Sequence, residues 1–148
     1  MQGGLGKEGD QFHIINFMQD TGEHQSVAET TSQLIFVAPD KCEIIDIGLA
    51  VTTAVTANTT NHWTINITNQ TGDVEMLSDN FDTDSDNSGN GGRSLTADAL
   101  TSLCDDGEGT NYLTGAILAK GDMLKLTATK AASGTALAYP VFVIRYRV

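Results

Sequence analysis

Strict two-residue alternation is the feature that most limits what this chain can fold into. In Trp63-Thr64-Ile65-Asn66-Ile67-Thr68 every second residue is apolar and the residues between are short and polar. A pleated strand with one buried and one wet face has that period; a helix does not. Residues 43–51 repeat it, with Ile45, Ile47, Leu49 and Val51 on one side and Asp46, Gly48 and Ala50 on the other. The small residues on the second side predict a neighbour packed close against them. Residues 139–148 alternate again, setting Phe142, Ile144, Tyr146 and Val148 against Val141, Val143, Arg145 and Arg147.

Shorter runs at 12–17, 33–37, 74–77, 112–118 and 123–129 read as further strands. Turn chemistry separates them: Pro39-Asp40, the polar run 56–61, Thr71-Gly72-Asp73, Lys120-Gly121-Asp122 and Ala132-Ser133-Gly134. Many short strands between such turns predict an all-β protein, an antiparallel β-sandwich of jelly-roll-like form. Leu95, Ala99, Leu100 and Leu103 have helical spacing behind Thr96 as a cap, so at most one short helix is expected, at 95–104. No internal repeat has a fixed period.

With 148 residues the chain suits a single domain, since a fold of this size buries roughly 70% of the surface its unfolded form exposes. Residues 1–11 are Gly-rich with little to bury and read as a flexible N-terminal arm; residues 12–148 form the sandwich domain. Eight Lys and Arg against 19 Asp and Glu leave a formal charge of −11, which weighs against a nucleic-acid partner, because phosphate contact needs a cationic face. No apolar run approaches the roughly 18 residues of a membrane span, and the first ten residues are not a charged-then-apolar leader, so a soluble, unprocessed chain without a membrane partner is expected. Cys42 and Cys104 are too few for a disulfide scaffold and are read as buried free thiols, with a disulfide between them left open.

Residues that could carry chemistry are sparse. Asp82, Asp84 and Asp86 alternate as at the start of a calcium loop, but Asn87 and Arg93 stand where an EF-hand needs Gly and a bidentate Glu. The stretch 79–93 is therefore read as a solvated loop, an irregular calcium site being the alternative, and no other cofactor is expected. His13, His24 and His62 have no nucleophile elbow, phosphate loop or metal-ligand partner at i+4, which argues against an enzyme with catalytic residues. Three sequons, at Asn58, Asn66 and Asn69, are read as chance matches in a Thr/Asn-rich chain for which no leader is expected. Trp63 could stack on a sugar, yet its alternation with Ile65 and Ile67 makes it core. Arg145 and Arg147 share one strand face and would pair either with the chain's own carboxylates or with those of a neighbouring subunit.

Taken in order, a polar arm, then "FVAPDKCEIIDIGLAVTTAVTANTTNHWTINITNQ" and later "AILAKGDMLKLTATKAASGTALAYPVFVIRY", the chain resembles the small β-sandwich head decoration, or cement, proteins of tailed bacteriophages. The resemblance covers residues 33–148 and rests on strand order and turn chemistry. It implies a non-enzymatic viral structural protein, made in the bacterial cytoplasm and carried on the outer capsid surface of the virion. The implied partners are the major capsid protein and further copies of the chain, as a trimer. The arm and first strand would make the contacts through Gly3, Gly4, Leu5, Lys7, Phe12, Ile14 and Phe17, with Arg145 and Arg147 beside them. A phage tail or fibre adaptor, or a carbohydrate-binding module, is the alternative on the same scaffold.

Overall fold

A computed structural model describes residues 9–16, 24–86, 92–104 and 113–148. Within them the chain is all-β, with ten strands: β1 Gln11–Asn16, β2 Thr31–Val37, β3 Cys42–Ala50, β4 Trp63–Asn69, β5 Val74–Glu75, β6 Phe81–Asp82, β7 Leu100–Ser102, β8 Ile117–Leu118, β9 Met123–Lys130 and β10 Val141–Arg147. One sheet runs β1-β10-β3-β7 with β8 also on β3; the other runs β2-β9-β4-β5 with β6 also on β4. Every strand pairing is antiparallel.

Two edges are broken strands. β7 pairs with Gly48–Ala50 and β8 with Cys42 and Glu43, so two short strands share the edge beside β3. β5 and β6 divide the edge beside β4 in the same way. Counted thus, eight strands alternate between sheets, apart from the β4–β5 hairpin, which is the double Greek key of a jelly roll. The broken edges meet across the sandwich: Leu77 bridges Leu113, and Thr114 N–H donates to Met76 O at 2.8 Å.

The core lies between the sheets. Trp63, Ile65 and Ile67 point inward from β4, Leu124, Leu126 and Ala128 from β9, Phe142 and Ile144 from β10, and all are buried. Trp63 is fully enclosed, and its indole N–H donates to Thr135 O at 2.7 Å, which satisfies the polar end of a large apolar group. Trp63 is therefore core, as its alternation implies.

Three details depart from the sequence expectations. First, Ile45 is not among the buried residues of β3; Ile44 is. Arg145 and Tyr146, adjacent on β10, face Asp46 and Ile44, so Ile45 is the extra residue of a β-bulge that reverses the inward phase. Second, 95–104 is not helical. Leu95 and Ala97 form bridges with Val55 and Val51, residues 100–102 are β7, and Leu103 N–H donates to Ile47 O at 2.8 Å. The apparent helical spacing comes from Leu95 and Leu103 pointing into the core while Leu100 lies on the outer face. Third, 79–93 is not loop throughout: Phe81 and Asp82 form β6, Phe81 and Thr83 are buried, and the Arg93 guanidinium sits 4.8 Å from the Phe81 ring centroid.

The small residues of β3 do receive a close neighbour. A Cβ at Gly48 would stand 2.7 Å from Leu100 Cδ1, so only glycine lets the Leu100 side chain lie flat there. At the Lys120-Gly121-Asp122 turn, Gly121 adopts φ 88° and Asp122 Oδ2 accepts from Ala119 N–H at 3.0 Å, which closes the turn into β9.

Candidate functional site

β1 begins beside the last strand, and its register decides what the outer face looks like. Phe12 stands opposite Arg145, Ile14 opposite Val143, and Gln11 opposite Tyr146. The alternation therefore puts Phe12, Ile14, Val143 and Arg145 on one outer face, with Asp46, Gly48 and Ala50 of β3 next across and Ser102 and Leu100 beyond them. Phe12 is 63% exposed, Ile14 66% and Leu100 55%. Exposed apolar side chains gathered on one face mark surface that protein contact would cover.

At the head of β1 both arginines converge on one carboxylate. Arg147 Nε and Nη2 donate to Asp10 Oδ1 at 3.1 and 2.7 Å, and Arg145 Nε lies 3.8 Å from Asp10 Oδ2. The two-nitrogen contact of Arg147 fixes where the chain enters the sheet, and the shared carboxylate offsets part of the local positive charge. Asp10 and Gln11 therefore belong to the body of the fold: Gln11 is the first residue of β1 and Tyr146 Oη donates to its Oε1 at 3.0 Å. Gly3, Gly4, Leu5, Lys7 and Phe17 lie outside the described residues. Of the expected contact residues, Phe12, Ile14, Arg145 and Arg147 come together at one corner of this sheet.

Beside that corner is a shallow groove of about 300 Å³ lined by Lys41, Cys42, Glu43, Ile117, Arg147 and Val148. Cys42 is a buried free thiol there; burial pushes its pKa up, and the Asp122 and Asp40 carboxylates add to the shift. A thiol held protonated in this way is a poor nucleophile. Cys104, the other cysteine, is buried, and its Sγ–H donates to Ile47 O at 3.9 Å.

Among the described residues the acidic side chains do not gather into a metal-holding group. Asp82 is buried, accepting from Thr64 Oγ1 at 3.2 Å and from Asp84 N–H, while Asp84 accepts from Asp86 N–H at 3.0 Å. These are turn contacts that shape the backbone. Among the described residues no three His, Cys, Asp or Glu side chains are grouped to hold a metal ion. The histidines are dispersed. His13 packs edge-on to Phe36 at 5.7 Å, His24 Nε2 lies 3.0 Å from Pro140 O, and His62 Nδ1 is 3.9 Å from Asp84 Oδ2, linking two loops. Sequence reasoning missed Asp10 as the arginines' partner and Leu100 as part of the outer face. The first signal lay in Asp10 standing just before a strand; the second was masked by the helical spacing around Leu100.

No family model and no curated protein matches the chain. Among solved structures it is similar to a chain in the "Structure of infectious bursal disease virus Gx strain", at 10% identity and a TM-score of 0.33. The match covers 95% of this chain and 37% of that one.

Proposed function

We propose that the chain is a non-enzymatic structural protein of a viral particle, a decoration or cement protein that binds the outer surface of a capsid shell and also associates with itself. The observation that carries this reading is the corner where Phe12, Ile14, Arg145 and Arg147 meet, at the point where residues 1–8 join the body through Asp10. A shell-binding protein needs a rigid body and exposed apolar and cationic groups at its attachment point, and a jelly roll with this corner offers both. The bulk acidity of the chain would keep decorated particles apart by like-charge repulsion. The carbohydrate-binding alternative loses its main platform, because Trp63 has no open ring face.

The test is the copy number of this chain, relative to the main shell protein, in gradient-purified particles, measured for the full chain and for a form lacking residues 1–8. Copies comparable to the shell protein, reduced by the deletion while the isolated body stays folded, are expected. A few copies per particle would instead make it a tail or fibre adaptor, and none would return it to the free binding modules.

A further inference from the structure

Each sheet of a sandwich ends in edge strands whose outward N–H and C=O groups invite another strand, and native chains blunt such edges with bulges, breaks, charges or proline. Among the described residues three of the four edges are blunted. β2 carries a register shift between Leu34 and Phe36, with Ile35 as the extra residue. The edge beside β4 is split into the two-residue strands β5 and β6, and the edge beside β3 into β7 and β8, of three and two residues. β1 has none of these devices. It is six residues long, pairs with β10 without a register shift, and contains no Lys, Arg, Asp, Glu or Pro. Among the described residues no strand pairs with its other side.

The direction of its free backbone groups can be read from one contact. Asn16 O lies 3.5 Å from Gln33 Nε2 on β2 and so points away from β10. Antiparallel pairing alternates, residue by residue, between groups aimed at one neighbour and groups aimed at the other, so the N–H and C=O of Ile14 and Phe12 point the same free way.

We propose that β1 is a self-association strand, pairing antiparallel with β1 of a second copy about a twofold axis at His13. In that register Phe12 of each copy faces Ile14 of the other as a hydrogen-bonded pair, so the free backbone groups of both residues are used. The same pairing sets the two most exposed apolar side chains of the strand against each other on one outer face, where such cross-strand pairs are favourable. The occupant is a second copy because the strand is its own complement in both hydrogen-bond phase and side-chain pattern. Charge points the same way. Two chains of net charge −11 repel except where the local charge is small, and β1 has no carboxylate, while Asp10 at its head is engaged by Arg145 and Arg147. Self-pairing of this kind is independent of capsid attachment and applies equally to the free protein.

The full chain, followed by sedimentation and light scattering through a dilution series, should show a monomer–dimer equilibrium. Ile14→Lys and, separately, Phe12→Lys should weaken association by at least about tenfold by placing a charge on the edge, with the circular dichroism of the dilute monomer unchanged. His13→Cys supplies the register test and does not depend on those variants folding. At the twofold axis the two introduced thiols form a non-hydrogen-bonded pair with Cα atoms about 4.5 Å apart, within disulfide reach. Mild oxidation should therefore cross-link His13→Cys but neither the parent chain nor Phe12→Cys. A chain that stays monomeric, a strict trimer, a dimer indifferent to both lysine variants, or a dimer that His13→Cys fails to cross-link would each overturn the proposal.

Discussion

Outside their shared core the two sheets present different chemistry. The sheet of β1, β10, β3, β7 and β8 turns Phe12, Ile14, Val141, Val143 and Leu100 outward, with Arg145 and Asp46 toward one end. On the β2-β9-β4 sheet, Thr64 is paired with Thr129, Asn66 with Thr127 and Thr68 with Lys125, all on the outer side. Hydroxyls, amides and an ammonium group are well served by water, so the β4–β9 part of that face needs no cover, and its exposed apolar groups, Leu34, Val37 and Met123, are confined to the β2 side. The first face leaves large apolar groups in water and gains if protein covers them. The comparison teaches that alternation identifies only the core side of a strand; residue type on the opposite side separates a solvated face from a contact face.

Three measurements would break or sharpen that contrast. If the sheets differ only outwardly, truncating an inner-face side chain should cost about the same from either one. Trp63→Ala and Phe142→Ala are each expected to destabilise by about 3–5 kcal/mol, read from denaturant unfolding; a loss well below that for one of them would mean the core is not shared evenly. A smaller effect is expected at the arginine corner. Asp10→Ala removes the carboxylate shared by Arg145 and Arg147, yet Arg147 is nearly half exposed, so solvent screening should keep the stability loss to about 1 kcal/mol or less. A loss several times larger would mean that the corner holds the first sheet together instead of simply shaping its surface. The smallest effect concerns the acidic loop. Added calcium should leave the melting temperature unchanged, because the Asp82 and Asp84 carboxylates accept turn N–H groups and no three acidic side chains are grouped among the described residues; a rise that disappears when Asp82, Asp84 and Asp86 are all replaced by Asn would show a binding site.

Much of the fold was legible in the sequence where one periodicity ran unbroken. β4 and β9 alternate without interruption, and their inward residues could be read off directly. The bulge at Ile45 was not legible, because an extra residue in one strand is defined by its partner's register and leaves no local mark. β6 and β7 were misread for a related reason. Strands of two or three residues carry little period of their own, and Phe81 and Leu100 take their places from β4 and β3, whereas β5 and β8 could be read only because they lie inside the longer runs 74–77 and 112–118. Of the site, Phe12, Ile14, Arg145 and Arg147 could be picked out by type and spacing, while their meeting through Asp10 joins residues far apart in the chain.

By itself, then, the sequence determined an all-β sandwich, a buried Trp63, an acidic molecule poor in cations and the polar turns between strands, because each of these follows from local pattern or from counting. Only the tertiary structure decided the jelly-roll order, the bulges, the broken edges and, among the described residues, the regular edge at β1. Those depend on which strand lies beside which, and antiparallel pairing is settled by contacts between residues distant in the chain.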